Sequence, residues 1–101
     1  MKVLLIYAHP EPRSLNGGLK DFAIRHLLQA GHEVQVSDLY AMRWKAGYDA
    51  DDSGAPPVGE FWRPTLDSRQ AFVQGTQSAD IAAEQEKLLW ADTVIFQFPL
   101  W

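Results

Sequence analysis

The sequence KVLLIYA, residues 2–8, decides the fold, because after Lys2 it is a continuous run of apolar and mostly branched residues. A strand that leaves one face to water alternates apolar and polar residues, whereas a parallel strand covered by helices is apolar throughout. His9 and Pro10 end the run. It therefore predicts a strand buried on both faces, and hence a sheet with helices on each side.

Outward from this strand, a helix is predicted from Leu15 to Leu28, with Ser14 as its N-cap and Gly31 as the glycine that follows its end. Its apolar residues recur at helical spacing and are expected to face the core, with the polar residues on the other side. The expected core residues are Leu15, Leu19, Phe22, Ala23, Leu27 and Leu28, and the expected polar residues are Lys20, Asp21, Arg25 and Gln29. The alternating EVQVS at 33–37 predicts a second strand near the edge of the sheet.

A second helix is predicted over Asp80–Trp90, with Ile81, Leu88 and Leu89 on one face, followed by a third strand, DTVIFQF, at 92–98. The order β-α-β-loop-α-β predicts an α/β fold with a parallel sheet. Because the first and third strands are the most apolar, we expect them to pair, with the two helices on opposite faces.

Residues 40–79 show little regular pattern and are rich in glycine and proline, which predicts a long loop or insertion. One short helix is expected within it, where Asp67 and Gln70 form a capping-box pattern and Gly75 can end the helix. The segment also carries large apolar residues, namely Met42, Trp44, Tyr48, Phe61, Trp62 and Phe72. They indicate either a partner surface or packing onto the chain's own domain.

Composition limits the classes of function. The chain has 101 residues, enough for one small domain, a net charge of −4 and no basic run, which disfavours binding to nucleic acid. It has no cysteine, which excludes disulfides and thiol chemistry and is typical of a reducing, cytoplasmic setting. No apolar stretch is long enough for membrane insertion, and the histidine spacing suggests no metal site. Because the sequence stops directly after an apolar strand, we expect a truncated domain.

The segment AHPEPRSLN, residues 8–16, is the strongest candidate for a binding site. It joins the first strand to the first helix, at the sheet edge where open α/β sheets bind ligands and where free N–H groups favour phosphate. His9, Ser14 and Asn16 could add hydrogen bonds, although Ser14 could also serve only as a cap, Asn16 only as a first-turn residue and His9 only in the turn. The segment lacks the glycine pattern of a Rossmann or P-loop site.

Several motifs in order resemble the DT-diaphorase type of NAD(P)H:quinone oxidoreductase. They are AH at 8–9, SLN at 14–16, GHEV at 31–34, SDLYAM at 37–42, DI at 80–81, EQ at 84–85, AD at 91–92 and IFQFPL at 95–100. The resemblance covers the whole chain except roughly residues 45–66.

The resemblance implies a flavodoxin-like, three-layer doubly wound parallel sheet, truncated here to about three strands in the order 2-1-3. Residues 1–101 would form the N-terminal part of one flavin-binding domain, with residues 40–79 as an excursion. It implies two-electron reduction of a quinone by NAD(P)H through FAD, or FMN in some relatives, and a homodimer when the protein is complete.

The resemblance also assigns residues. His9, Ser14 and Asn16 match residues that lie against the flavin phosphates, and Leu15 stands where the mammalian enzymes carry Phe. Pro99, Leu100 and Trp101 match the segment along the isoalloxazine ring, with Trp101 in place of a Gln. The family's catalytic Tyr and His lie beyond this sequence, so no catalytic residue is expected here and the chain alone should be inactive.

Two other functions stay open from the sequence. Small relatives act as ancillary regulatory subunits of potassium-efflux antiporters, which have a shorter link where this chain has residues 40–79, so the long segment favours the reductases. The third possibility is a fragment with no activity of its own.

Overall fold

The computed structural model describes residues 1–54 and 60–100, which fall into two compact units. One unit comprises Met1–Trp44 and the chain from Glu86 onward, and the other comprises Lys45–Gln85. Within the described ranges, no helix combines the length and the apolar character needed to cross a membrane.

The first unit is built on a three-stranded parallel sheet. Its strands are β1 (Lys2–Tyr7), β2 (Glu33–Asp38) and β3 (Thr93–Gln97), and their order is β2-β1-β3. The central strand holds the core, since Leu4 and Leu5 are each 1% exposed. The predicted α/β class, the parallel pairing of the first and third strands and the order 2-1-3 are all confirmed.

Helix α1 (Leu15–Gln29) and the C-terminal end of α3 (Ala79–Trp90), from Glu86 onward, lie on opposite faces of this sheet. The Lys20 ammonium of α1 lies 4.9 Å from the centre of the Tyr7 ring. Lys87, in the last turns of α3, donates a hydrogen bond of 3.2 Å to Ser37, which is fully buried in β2. Tyr7 pairs with Asp38, the neighbour of Ser37, and successive strand residues point to opposite faces. The two lysines therefore mark the two sides of the sheet, as predicted for the helices.

The predicted inner faces of the helices were wrong in part. Leu15, Leu19 and Phe22 of α1 are 79%, 48% and 60% exposed, whereas the side chain of Lys20 is only 15% exposed. Lys20 lies inward because its ammonium sits over the Tyr7 ring, and the same ammonium lies 3.0 Å from the Asp21 carboxylate. On α3, Leu89 is 88% exposed. Apolar spacing identified the helices but did not show which arc meets the sheet.

The second unit contains a 3₁₀ helix, Ala50–Ser53, in addition to the short helix that was expected. Asp49 and Asp52 cap the start of this helix reciprocally: the side chain of each accepts a hydrogen bond from the backbone N–H of the other. Lys45 lies 2.6 Å from Asp49 and 3.2 Å from the buried Asp52. The Trp62 indole donates to Ser53 at 3.0 Å. Polar contacts therefore give this segment its own small core, which its composition did not predict.

The expected short helix is α2, Pro64–Gln74, and its predicted capping was wrong. The helix begins three residues before Asp67, with Pro64 in the first turn, where a missing N–H costs nothing. Asp67 instead reaches back and accepts from the Arg63 N–H at 2.7 Å. Gly75 ends the helix in the left-handed conformation, with a φ of 71°, as predicted.

Candidate cofactor-binding site

The first turn of α1 presents free backbone N–H groups at the carboxyl edge of the sheet. Ser14 is the N-cap, and its hydroxyl oxygen accepts from the Gly17 N–H at 3.1 Å, as predicted. The N–H groups of Leu15 and Asn16 have no hydrogen-bond partner within residues 1–54 and 60–100. Because α1 has 15 residues, these donors also lie at the positive end of a substantial helix dipole. The turn can therefore bind an anion.

Gly17 lets the preceding loop pack directly against this turn. Gly17 is buried, and a Cβ at its position would lie 2.1 Å from the Pro12 carbonyl oxygen and 3.1 Å from the Tyr7 hydroxyl oxygen. A Cβ at the neighbouring Gly18 would meet nothing within 4 Å. The sequence analysis missed Gly17; two adjacent glycines in a helical pattern, each costing about 0.5–1 kcal/mol relative to Ala, were the available signal.

His9 organises the start of the loop. Its Nδ1 atom accepts from the Glu11 N–H at 3.0 Å, so the proton of the neutral ring is assigned to Nε2. The Glu11 carboxylate accepts from Arg13 Nε at 2.8 Å, and this hydrogen bond lowers the pKa of Glu11 and raises that of Arg13. The negative charge closest in sequence to the anion-binding turn is therefore already paired with a cation.

Asn16 connects the turn to β3. Its side-chain oxygen accepts from the Gln97 side-chain amide at 2.7 Å, across 81 positions of sequence. Gln97 is the last residue of β3, and its carbonyl oxygen also accepts from the Ala8 N–H at 3.1 Å. Gln97 was not predicted as a site residue; the only signal was one amide within an otherwise apolar strand.

An apolar cavity of about 410 Å³ lies at the carboxyl ends of the three strands. Ligand pockets are typically about 300–1,000 Å³ and mostly apolar. Its lining residues are Ile6, Ala8, Leu39, Tyr40, Phe96, Phe98 and Pro99. Of the three predicted ring-contact residues, Pro99 lines this cavity, Leu100 is 92% exposed and Trp101 lies outside the described residues. His9, Ser14, Leu15 and Asn16 are together in the loop and first turn.

Known proteins align with the entire chain. Residues 1–101 match the flavodoxin-like fold family. A Penicillium crustosum ribosyldihydronicotinamide dehydrogenase-like protein is 48% identical over 101 residues, which is 100% of this chain and 38% of that protein. The human ribosyldihydronicotinamide dehydrogenase (quinone) is 44% identical, over 99% of this chain and 44% of its own length.

A crystal structure of a candidate quinone reductase from Klebsiella pneumoniae is 94% identical and superposes with a TM-score of 0.95. The match covers 100% of this chain and 39% of that one. The chain thus spans about two-fifths of the length of these relatives. Their alignments extend through residues 40–79, the segment whose length favours the reductases over the antiporter subunits.

Proposed function

The chain belongs to the flavodoxin-like fold family, and from this membership we propose that it is the N-terminal part of the single flavin-binding domain of a quinone reductase. The observation that carries the proposal is the first turn of α1, where the N–H groups of Leu15 and Asn16 have no hydrogen-bond partner among the described residues. Relatives named as quinone dehydrogenases support it.

The residues present fit a flavin that carries phosphate. The turn offers N–H donors to the phosphate, and the cavity offers an apolar surface to a ring system at the same sheet edge. We assign the phosphate contacts to His9, Ser14 and Asn16, with Leu15 contributing its backbone N–H. Pro99, Leu100 and Trp101 would lie along the ring. FAD is the expected cofactor, and FMN would use the same donors.

A bound flavin would supply the redox chemistry, accepting hydride from a reduced nicotinamide and passing two electrons to a quinone. This chain's residues would hold and orient the phosphate and exclude water from one side of the ring. The hydride donor we propose is NAD(P)H, and the relatives' names make ribosyldihydronicotinamide the other donor to test. The chain contributes no catalytic residue to the proposed reaction.

We further propose a cytoplasmic homodimer for the complete protein. The absence of cysteine suits a reducing compartment. In the second unit, Phe61 is 89% and Phe72 is 65% exposed, and exposed aromatic side chains are enriched in the cores of interfaces.

The function is tested by comparing this chain with an extended protein, in which Trp101 is followed by the C-terminal remainder of the Klebsiella homologue. We expect the extended protein to bind FAD or FMN and to reduce a quinone with NAD(P)H or ribosyldihydronicotinamide. We expect the chain alone to show no turnover, because catalysis requires all reacting groups at near-attack geometry. An extended protein that is folded but binds neither flavin would overturn the proposal, and turnover by the chain alone would overturn its second part.

Ser14→Ala in the extended protein separates capping from cofactor binding. Loss of the cap should lower the stability of the apo form by about 1 kcal/mol. If the hydroxyl also donates to a phosphate, flavin affinity should fall by about 1–3 kcal/mol beyond the change in folded fraction. Affinity that follows the folded fraction alone would assign Ser14 to the cap only.

A further inference from the structure

The hydrogen bond between Gln97 and Asn16 fixes the direction of one amide at the anion-binding turn. Both side chains are half-buried, and the Gln97 nitrogen lies 2.7 Å from the Asn16 oxygen. The position of Gln97 is set by the sheet, since it pairs with Tyr7 in register and accepts from the Ala8 N–H. Asn16 is the second residue of α1, and its backbone N–H has no hydrogen-bond partner in the part of the chain that the structure describes.

This bond determines what Asn16 can offer to a ligand. An asparagine amide has an accepting oxygen and a donating NH₂ group. Because the oxygen faces Gln97, the NH₂ group faces away from Gln97 and is the end of the amide that can meet another partner. A phosphate is an acceptor, so it would bind that NH₂ group. The opposite amide orientation would present an oxygen beside the phosphate and repel it.

We propose that Gln97 is a positioning residue for the flavin phosphate, acting through Asn16. It donates to the Asn16 oxygen and so keeps the Asn16 NH₂ group directed to the anion together with the N–H groups of the first turn. This inference rests on the proposed function, because it takes the anion to be the phosphate of the flavin.

Two substitutions in the extended protein separate positioning from contact. Asn16→Asp keeps the shape of the side chain and an oxygen for Gln97, but replaces the donors that would meet the phosphate with a negative charge that would repel it. Gln97→Met keeps the length of the side chain but removes the donor that orients Asn16. Each should weaken binding of FMN and FAD by about tenfold to a hundredfold, the range for a hydrogen bond to a charged group. Gln35→Met, a matched change on the outer strand β2, should leave the affinity unchanged.

Riboflavin has the same ring as FMN and FAD but no phosphate. Comparing its affinity with theirs therefore separates a loss of phosphate binding from general damage to the structure. Apo protein titrated with riboflavin, FMN and FAD should show losses for FMN and FAD and none for riboflavin. Gln97→Met combined with Asn16→Ala should bind FMN no more weakly than Asn16→Ala alone, since Gln97 acts through the residue already removed. Thermal unfolding of each apo variant corrects the affinities for folded fraction.

Three results would overturn the inference. Unchanged FMN affinity in Gln97→Met would show that Gln97 does not position the site. A full additional loss in the double variant would show that Gln97 acts independently of Asn16. An equal loss for riboflavin would show that the effect does not concern the phosphate. By contrast, an unsubstituted extended protein that binds neither FMN nor FAD would overturn the proposed function itself, and the inference with it.

Discussion

The contact between the Pro12 carbonyl and Gly17 makes the strongest prediction for stability. In Gly17→Ala, the new Cβ would lie 2.1 Å from the Pro12 oxygen and 2.8 Å from its carbonyl carbon, whereas Cβ atoms essentially never come closer than 3.0 Å to a neighbour. The Pro12 oxygen must therefore move by about 0.9 Å. The nearby atoms are backbone, so the loop has to shift with them.

Gly18→Ala is the matched control. Its Cβ would meet nothing within 4 Å, and it gains the same helix propensity of about 0.5–1 kcal/mol over Gly. The propensity gain cancels between the two variants, so the difference in their unfolding free energies isolates the close contact. Overpacking in a well-packed site costs about 1–3 kcal/mol. We therefore expect Gly17→Ala to be less stable than Gly18→Ala by about that amount.

The measurement is urea unfolding of the two apo variants of the extended protein, monitored by circular dichroism. The unfolding free energy must fall with urea concentration at the same slope in both variants for the two values to be compared. The apo form is needed because a bound flavin could occupy the open space beside Gly18. If Gly17→Ala is as stable as Gly18→Ala, the Pro12 carbonyl does not rest on Gly17 and the description of the loop is wrong.

Three further predictions concern other contacts. Tyr7 is 1% exposed and its hydroxyl has no hydrogen-bond partner among the described residues, so Tyr7→Phe should raise the unfolding free energy by about 1 kcal/mol in urea, and a loss would reveal a partner. The pKa of Asp49 is held below its ordinary value of 3.8 by the lysine that donates to it. Its stabilisation is therefore complete above that value and is lost as the pH falls through the lower folded-state pKa. Asp49→Asn should reduce the acid dependence of the circular dichroism signal, and identical acid titrations would contradict this. The extended protein should sediment as a dimer at micromolar concentration and as a monomer with Phe61→Ser and Phe72→Ser; a monomeric unsubstituted protein would refute the interface.

The sheet could be predicted because its signals are local and strong. The apolar run at 2–8 reports burial on both faces, and a β-α-β order constrains the strands to be parallel. The ends of α1 were equally predictable, because Ser14 and Gly31 each satisfy a specific need of the backbone, and Gly31 does adopt a positive φ of 90°. Such needs depend on neighbours within a few residues.

The sequence-based predictions were wrong where two local patterns compete, or where one side chain has both a polar and an apolar part. Asp67 and Gln70 fitted a capping box, but Pro64 begins α2 one turn earlier. Asp67 lies inside the helix, and its carboxylate accepts from the N–H of Arg63. Lys20 was assigned to the polar face, although its ammonium lies over the ring of the buried Tyr7. The spacing of apolar and polar residues along a helix shows only which side chains are polar. Whether a side chain is buried depends on which strand or loop packs against it.

The candidate site was likewise predicted in part. The loop at 8–16 was predicted from the position of strand and helix alone, but the two contacts that hold its first turn were not. Gly17 depends on a carbonyl that arrives from Pro12, and Asn16 depends on an amide 81 positions away. Only the register of β1 with β3 brings Gln97 beside the start of α1. Long-range pairs of this kind leave almost no trace in a single sequence.

The contacts of Pro12 and Gln97 together hold the first turn of α1 in place. Pro12 packs against the turn from the loop side, and Gln97 binds it from the sheet side, so the start of α1 is held from two directions by residues of one compact unit. Its N–H donors are therefore oriented by contacts within this unit. The phosphate-binding part of the proposed flavin site would then be preorganised by the fold of these residues, whereas we propose that turnover depends on further groups. Loss of reductase activity in the chain alone is for that reason no evidence that its sheet and its anion-binding turn have failed to form.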